Sequence, residues 1–230
     1  MKNETMNERV VAITGGHGEL GRAVVAAALE RGWRVAIVDH ATDQTAPADT
    51  LALNGVDLTD PAAASAAIAT VVKKLGRLDA LLNIAGGFVW QPVDDDQPAW
   101  DRMFALNLTT ALNSCRAALP HLKQSDAGRI VNVGANGALK SVAGMGPYAA
   151  SKSAVHRLTE SLAEELKSTS VTVNAVLPSV LDTPQNRADM PDADPATWVA
   201  PTDLAAVMLF LASPGARAIT GALIPVTGRV

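Results

Sequence analysis

Thr14-Gly15-Gly16-His17-Gly18-Glu19-Leu20-Gly21 follows the apolar run Val10-Val11-Ala12-Ile13 directly and opens Leu20–Arg31, a segment of helical period. Glycines at such a junction let the backbone turn tightly off a strand and approach a ligand closely. The helix that follows offers free N–H groups and the positive end of its dipole to an anion. A lone G-x-G-x-x-G spacing is weak evidence. The same spacing between a strand and a helix marks a pyrophosphate site. Gly15, Gly16, His17, Gly18, Glu19, Leu20 and Gly21 are therefore candidate cofactor-binding residues.

Asp39 closes the next aliphatic run, 18 residues beyond Gly21. A carboxylate there accepts hydrogen bonds from the adenosine ribose hydroxyls and repels a 2′-phosphate. Neither His40 nor Ala41 is Arg or Lys, so NAD(H) is expected over NADP(H). His17 and His40 are the two imidazoles that would temper this preference beside a phosphate.

Beyond the loop, short aliphatic runs alternate with longer Ala- and Leu-rich stretches. Arg9–Thr14, Arg34–Asp39, Ala80–Ile84, Arg129–Val133 and Val171–Leu177 read as buried strands. Leu20–Arg31, Pro61–Lys74, Trp100–Leu119 and Tyr148–Leu166 read as helices. Such alternation predicts a single-domain α/β fold over residues 9–230, a Rossmann-type doubly wound parallel sheet with helices on both faces. Residues 1–8 read as a loose N-terminal tail. The Pro- and Asp-rich stretch 182–201 is the longest irregular piece and reads as a substrate lid or a passive surface loop.

Composition narrows the partners. With 230 residues and 48% hydrophobic content, the chain can bury a sizeable core. A net charge of −4 and 3% aromatics argue against a nucleic-acid surface. The apolar run at Val10 is too short for a membrane span or a signal-peptide core. Cys115 is the only cysteine, so no internal disulfide forms and a cytoplasmic location is expected. Cys115 reads as a small buried residue rather than a nucleophile. His121 and His156 have no second ligand at metal spacing, so no metal site is expected. The acidic run Asp94-Asp95-Asp96 reads as charge ahead of a helix N-terminus.

Tyr148-Ala149-Ala150-Ser151-Lys152 places a phenol and an ammonium one helical turn apart on one face. An ammonium close to a phenol lowers the phenol's pKa toward working pH, which makes a usable general acid. Tyr148 and Lys152 are thus candidate catalytic residues.

With these motifs in this order, the chain resembles the short-chain dehydrogenase/reductase family over nearly its whole length. The resemblance implies further roles. Asp57, in Val56-Asp57-Leu58-Thr59, corresponds to the acid that caps the adenine amine. Asn83-Ile84-Ala85-Gly86 is similar to the family's Asn-Asn-Ala-Gly turn, placing Asn83, Ala85 and Gly86 at the cofactor. Asn107 corresponds to the helix asparagine that holds a relay water beside the lysine, completing a catalytic set with Tyr148 and Lys152. In Pro178-Ser179-Val180-Leu181-Asp182-Thr183, residues Pro178, Val180, Leu181 and Thr183 correspond to nicotinamide contacts. Thr220-Gly221 matches the turn before the last strand. The Ala-rich faces of Trp100–Leu119 and Tyr148–Leu166 resemble the helices through which the family forms a homodimer or homotetramer.

One position departs from the family. Its serine, 13 residues before the tyrosine, is Ala135 here. Losing one such donor costs about 2.7–4 kcal/mol where the reaction depends on it. A narrower resemblance, to dihydropteridine reductases, rests on Gly15–Gly21, Ala85-Gly86-Gly87-Phe88, Gly134-Ala135-Asn136-Gly137-Ala138-Leu139 and the stretch from Ala175 through Trp198. Those NADH-dependent members also lack the serine and act on a quinonoid dihydropterin, whose conjugated ring does not need that donor. Phe88, Trp90 and Trp198 read either as a flat aromatic slot for such a ring or as packing beneath the lid. Two functions therefore stand. One is an NAD(H)-dependent oxidoreductase moving hydride to or from a small molecule, a dihydropterin or another carbonyl or alcohol. The other is a catalytically weak NAD-binding scaffold or sensor. Retention of Tyr148, Lys152 and Asn107 favours the first.

Overall fold

The computed structural model describes residues 9–95 and 98–230; the expected tail at 1–8, and Asp96 of the acidic run, lie outside them. The strands are β1 Val10–Thr14, β2 Arg34–Val38, β3 Thr50–Leu53, β4 Ala80–Asn83, β5 Arg129–Val133, β6 Thr172–Pro178 and β7 Leu223–Val226. They pair in parallel in the order β3-β2-β1-β4-β5-β6-β7. The helices are α1 Glu19–Glu30, α2 Pro61–Leu75, α3 Ala99–Met103, α4 Thr110–Leu122, α5 Gly146–Glu165, α6 Pro184–Asp189 and α7 Pro201–Leu211.

Every residue of β1 is buried, as a central strand covered on both faces requires. Its alternation sends Val11 and Ile13 toward α1 and α7, and Val10 and Ala12 toward α2, α4 and α5. The sheet is thus doubly wound, with one apolar core on each side. Helix α2 shows how its ends are set. Pro61 starts it, the Asp60 carboxylate accepts from Ala62 N at 2.8 Å, and Gly76 ends it at φ 82°.

The structure differs from the sequence reading in four places. The stretch read as one helix, Trp100–Leu119, is α3, a π-helical turn over Phe104–Thr109, and α4. A π-helical turn rotates the residues on either side relative to each other, and it often marks a functional site. The edge strand β3 and the helix α7 were not foreseen. The stretch 182–201 is more ordered than a bare loop. It holds α6 and a 3-10 turn, and a parallel bridge between Leu181 and Val199 closes its base.

At the amino ends of β1, β4 and β5 lies a charged cluster away from the ligand crevice. Asp79, 1% exposed, accepts from Val10 N at 2.9 Å, Ser125 Oγ at 2.6 Å and Arg77 Nη2 at 2.7 Å. Buried Arg9 donates to the carbonyls of Asp79 and Ala127. Buried Arg129 donates to those of Gly128, Ser170 and Ser213.

Candidate functional site

The strand order reverses between β1 and β4, and open parallel sheets bind ligands at the carboxyl ends of such strands. Thr14 fixes that junction: its Oγ1 accepts from Ile84 N at 3.1 Å and Ala85 N at 3.2 Å. Gly15, at φ 67°, runs so close to the neighbouring turn that a Cβ there would lie 2.8 Å from the Ala85 backbone. No larger residue fits.

A cavity of about 380 Å³ opens above this junction. Gly15, Gly18, Glu19, Leu20 and Gly21 form one wall, Asp39 and Asp57 the second, and Ala85 and Gly86 the floor toward Leu106. Gly18 brings no side chain to cap α1, which leaves the first-turn amides open to an anion. The Asp39 carboxylate accepts from His17 N at 2.9 Å and Ala41 N at 3.0 Å, a brace that holds it at the rim. Two bonds from Thr59 to Asp57, from its hydroxyl and its backbone N–H, hold the Asp57 carboxyl below the usual carboxylate range. The two acids and the open amides of α1 suit the hydroxyls and phosphates at the adenosine end of a dinucleotide.

Some expected contacts lie elsewhere. The buried His17 ring meets Asn54 Oδ1 at 2.9 Å, so it is committed there and absent from the cavity wall. Gly16 backs onto Ile37. The Asn83 side chain is buried behind the floor, donating to Asn132 Oδ1 at 2.8 Å and to the Cys115 sulfur at 3.3 Å. Burial pushes the Cys115 thiol up to about 12, which suits a packing residue rather than a nucleophile. Pro178 ends β6, Val180, Leu181 and Thr183 follow it, and none of the four lines the cavity. There Val180 accepts from Val199 N, Leu181 from Asn186 Nδ2, and Thr183 Oγ1 from Asn186 N.

Two of the three catalytic candidates, Asn107 and Lys152, meet beside Gly86, and Tyr148 lies one helical turn before Lys152 on α5 with its ring against Phe88. A Cβ on Gly86 would lie 2.5 Å from Asn107 Oδ1 and 3.4 Å from Lys152 Nζ. Asn107, in the π-helical turn, is 1% exposed. Its Oδ1 accepts from Gly87 N at 2.9 Å, and its Nδ2 donates to Gly87 O at 3.1 Å and to Ser151 Oγ at 2.9 Å. Ser151 Oγ donates its hydrogen bond to Tyr148 O at 2.8 Å, so its oxygen can only accept from Asn107. Lys152 Nζ donates to Val133 O at 2.7 Å, and burial lowers its pKa to about 8.

The sequence reading expected Lys152 to lower the pKa of Tyr148. Instead burial dominates and raises the phenol to about 12. The ammonium is held on the Val133 carbonyl, and the Phe88 ring packs edge-on against Tyr148 at 5.0 Å between centroids. Ala135, 3% exposed, stands where the family's serine is expected. The residue that addresses it was missed by the sequence reading. His156 is 2% exposed, and its Nε2 accepts from Ala135 N at 3.3 Å. Burial, with Arg157 and Lys152 adding to it, lowers that ring's pKa to about 4. Its i+8 spacing from Tyr148 along α5 was the available signal.

Around this centre the aromatic side chains are exposed. Phe88 is 55% and Trp90 61% accessible, and Trp90 Nε1 donates to Ala143 O at 3.2 Å. Trp100 packs against Gly146 at the start of α5. Trp198 is buried, which removes it from the expected slot. Among the described residues no group of three or more His, Cys, Asp or Glu side chains is placed to hold a metal ion. No helix there is long and apolar enough to cross a membrane.

The family model "short chain dehydrogenase" matches residues 9–194. The 2-(S)-hydroxypropyl-CoM dehydrogenase 3 of Xanthobacter autotrophicus is 32% identical across 99% of this chain and 98% of its own. The 2,5-dichloro-2,5-cyclohexadiene-1,4-diol dehydrogenase of Sphingobium indicum is 32% identical across 96% of this chain and 95% of its own. Among solved structures, the 3-ketoacyl-(acyl-carrier-protein) reductase of Brucella melitensis complexed with NADH superposes with a TM-score of 0.84 at 28% identity, covering 96% of this chain and 98% of that one.

Proposed function

The chain belongs to the short chain dehydrogenase family, and on that premise we propose an NAD(H)-linked reductase of a small conjugated ring, a quinonoid dihydropterin first. One pairing carries the reading: a phenol held protonated by burial one helical turn before Lys152, with Ala135 in place of a hydroxyl donor. The nicotinamide, when bound, supplies the hydride. Tyr148 supplies the proton from its Oη. Lys152 stands ready to move from the Val133 carbonyl to a ribose hydroxyl. Asn107 fixes the Gly86-Gly87 turn against which the reacting groups meet. Phe88, Trp90 and Trp100 give a planar ring flat apolar contact at the rim, and the stretch 182–201 closes over it as a lid. The Sphingobium relative is named for a ring substrate too. Assembly as a homodimer or homotetramer through α4 and α5 belongs to the same proposal.

The reaction separates this reading from that of another carbonyl reductase. Freshly generated quinonoid dihydropterin should oxidise NADH, while simple aliphatic ketones should turn over slower by about 10²–10³-fold, the worth of a missing oxyanion donor. Equal or faster ketone turnover would reject the ring substrate. NADH binding without turnover of either substrate would favour the scaffold or sensor reading, which Ala135 also supports. The cofactor choice has its own check. Asp39→Ala should reduce the NADH-to-NADPH ratio of kcat/KM by about tenfold or more, the scale of a charged hydrogen bond. An unchanged ratio removes Asp39 from the discrimination.

A further inference from the structure

We infer that Glu19 is a built-in competitor of the dinucleotide's pyrophosphate, and that it limits how tightly and how long the cofactor is held. The inference rests on the NAD(H) reading of the cavity above. Glu19 is the first residue of α1, the only acid in that helix's first turn, and part of the cavity wall. The N-terminal dipole of α1, which would draw a pyrophosphate, therefore already faces a carboxylate of the chain itself.

Among the described residues, three acidic side chains line this cavity, Glu19, Asp39 and Asp57, with His40 as the one imidazole and no Lys or Arg. Asp39 and Asp57 are occupied by the bonds from His17, Ala41 and Thr59. Among the described residues Glu19 pairs with Arg22 alone, at 3.6 Å with both side chains half-exposed. Arg22 is shared, because its Nη2 also donates to Gln44 Oε1 at 3.3 Å. Neutralisation of Glu19 is thus partial, and its charge opposes an anion approaching the same amides. The opposition acts through solvent, so salt screens it. The benefit to an oxidoreductase is quick exchange of used cofactor, a step that often limits turnover.

The test is binding rather than activity. NADH affinity and dissociation rate are read from the nicotinamide's own fluorescence for the wild type, Glu19→Gln, Arg22→Gln and the double variant, at about 20 mM and about 300 mM NaCl. Glu19→Gln should bind about three- to tenfold tighter at low salt and release NADH more slowly, with the gap narrowing at high salt. Arg22→Gln should bind more weakly, and less so when Glu19 is already Gln. Binding by Glu19→Gln that is unchanged or weaker at low salt overturns the inference. NADH binding by none of the four proteins overturns the cofactor reading itself, a distinct outcome.

Discussion

Tyr148→Phe should lower turnover by about 10²–10⁴-fold while NADH affinity stays within about twofold, because the change removes one oxygen from the proton path and nothing else. The phenol makes no side-chain hydrogen bond among the described residues, and its ring is steadied by Phe88, a contact that phenylalanine keeps. The melting temperature should therefore hold. Burial keeps the phenol up at about 12, so the proton needed for reduction is present across the working range. The alkaline limb of kcat/KM belongs to Lys152 instead. With its pKa lowered to about 8, its ammonium form is complete well below that value and is lost as pH rises through it. Parallel assays of rate and NADH fluorescence decide the matter. A Tyr148→Phe enzyme with near wild-type rate would remove the phenol from the chemistry.

Asp79→Asn should be the most damaging single change to stability, at about 3–5 kcal/mol, the usual loss when one member of a buried ion cluster is removed. The substitution keeps the volume but takes the negative charge from beside Arg9, whose own pKa burial has already lowered to about 10. Arg77 is more than half exposed, so solvent moderates its share. At about 2–4 °C per kcal/mol for a chain of this size, the melting temperature should fall by about 6–20 °C. The acid side carries a second signature. Burial raises the Asp79 pKa, but the bonds from Ser125, Val10 and Arg77 outweigh it, and the net shift is downward. Its contribution is then present above the ordinary carboxylate pKa of about 3.9 and lost as pH falls through the lower folded value. Denaturant melts of both proteins at neutral and acid pH test this. A drop below about 1 kcal/mol would mean that the cluster is held by its backbone bonds alone.

The sequence disclosed the sheet well because its central strands are buried on both faces and read as continuous aliphatic runs. Strand β3 escaped because an edge strand of four residues, three half-buried and one exposed, is too short and too open to stand out as a buried run. Helix α7 escaped for the opposite reason: Leu204 to Leu211 is apolar nearly all round, which hides the helical period. At the site, placements that depend on local spacing were legible: the glycine turn and Asp39 at the cavity, and Lys152 one turn after Tyr148 on α5. Residues whose roles depend on tertiary contacts were not. Whether Asn83 faces the cavity or the core is decided by Asn132 and Cys115. The fate of His156 is decided by the strand end at Ala135. The phenol's pKa also lay beyond the sequence, since spacing names its neighbours but not how much water the fold removes.

The bridge between Leu181 and Val199 joins the two ends of the chain segment beyond β6, with Asp182 N bonded to Val199 O at 2.9 Å. Loop-closure entropy grows only with the logarithm of length, and here the framework already fixes the ends. Insertion or deletion between them therefore leaves the sheet undisturbed. In the lid role proposed for it, the segment is an interchangeable cassette, and a choice of substrate made there can drift during descent without the frame having to change with it.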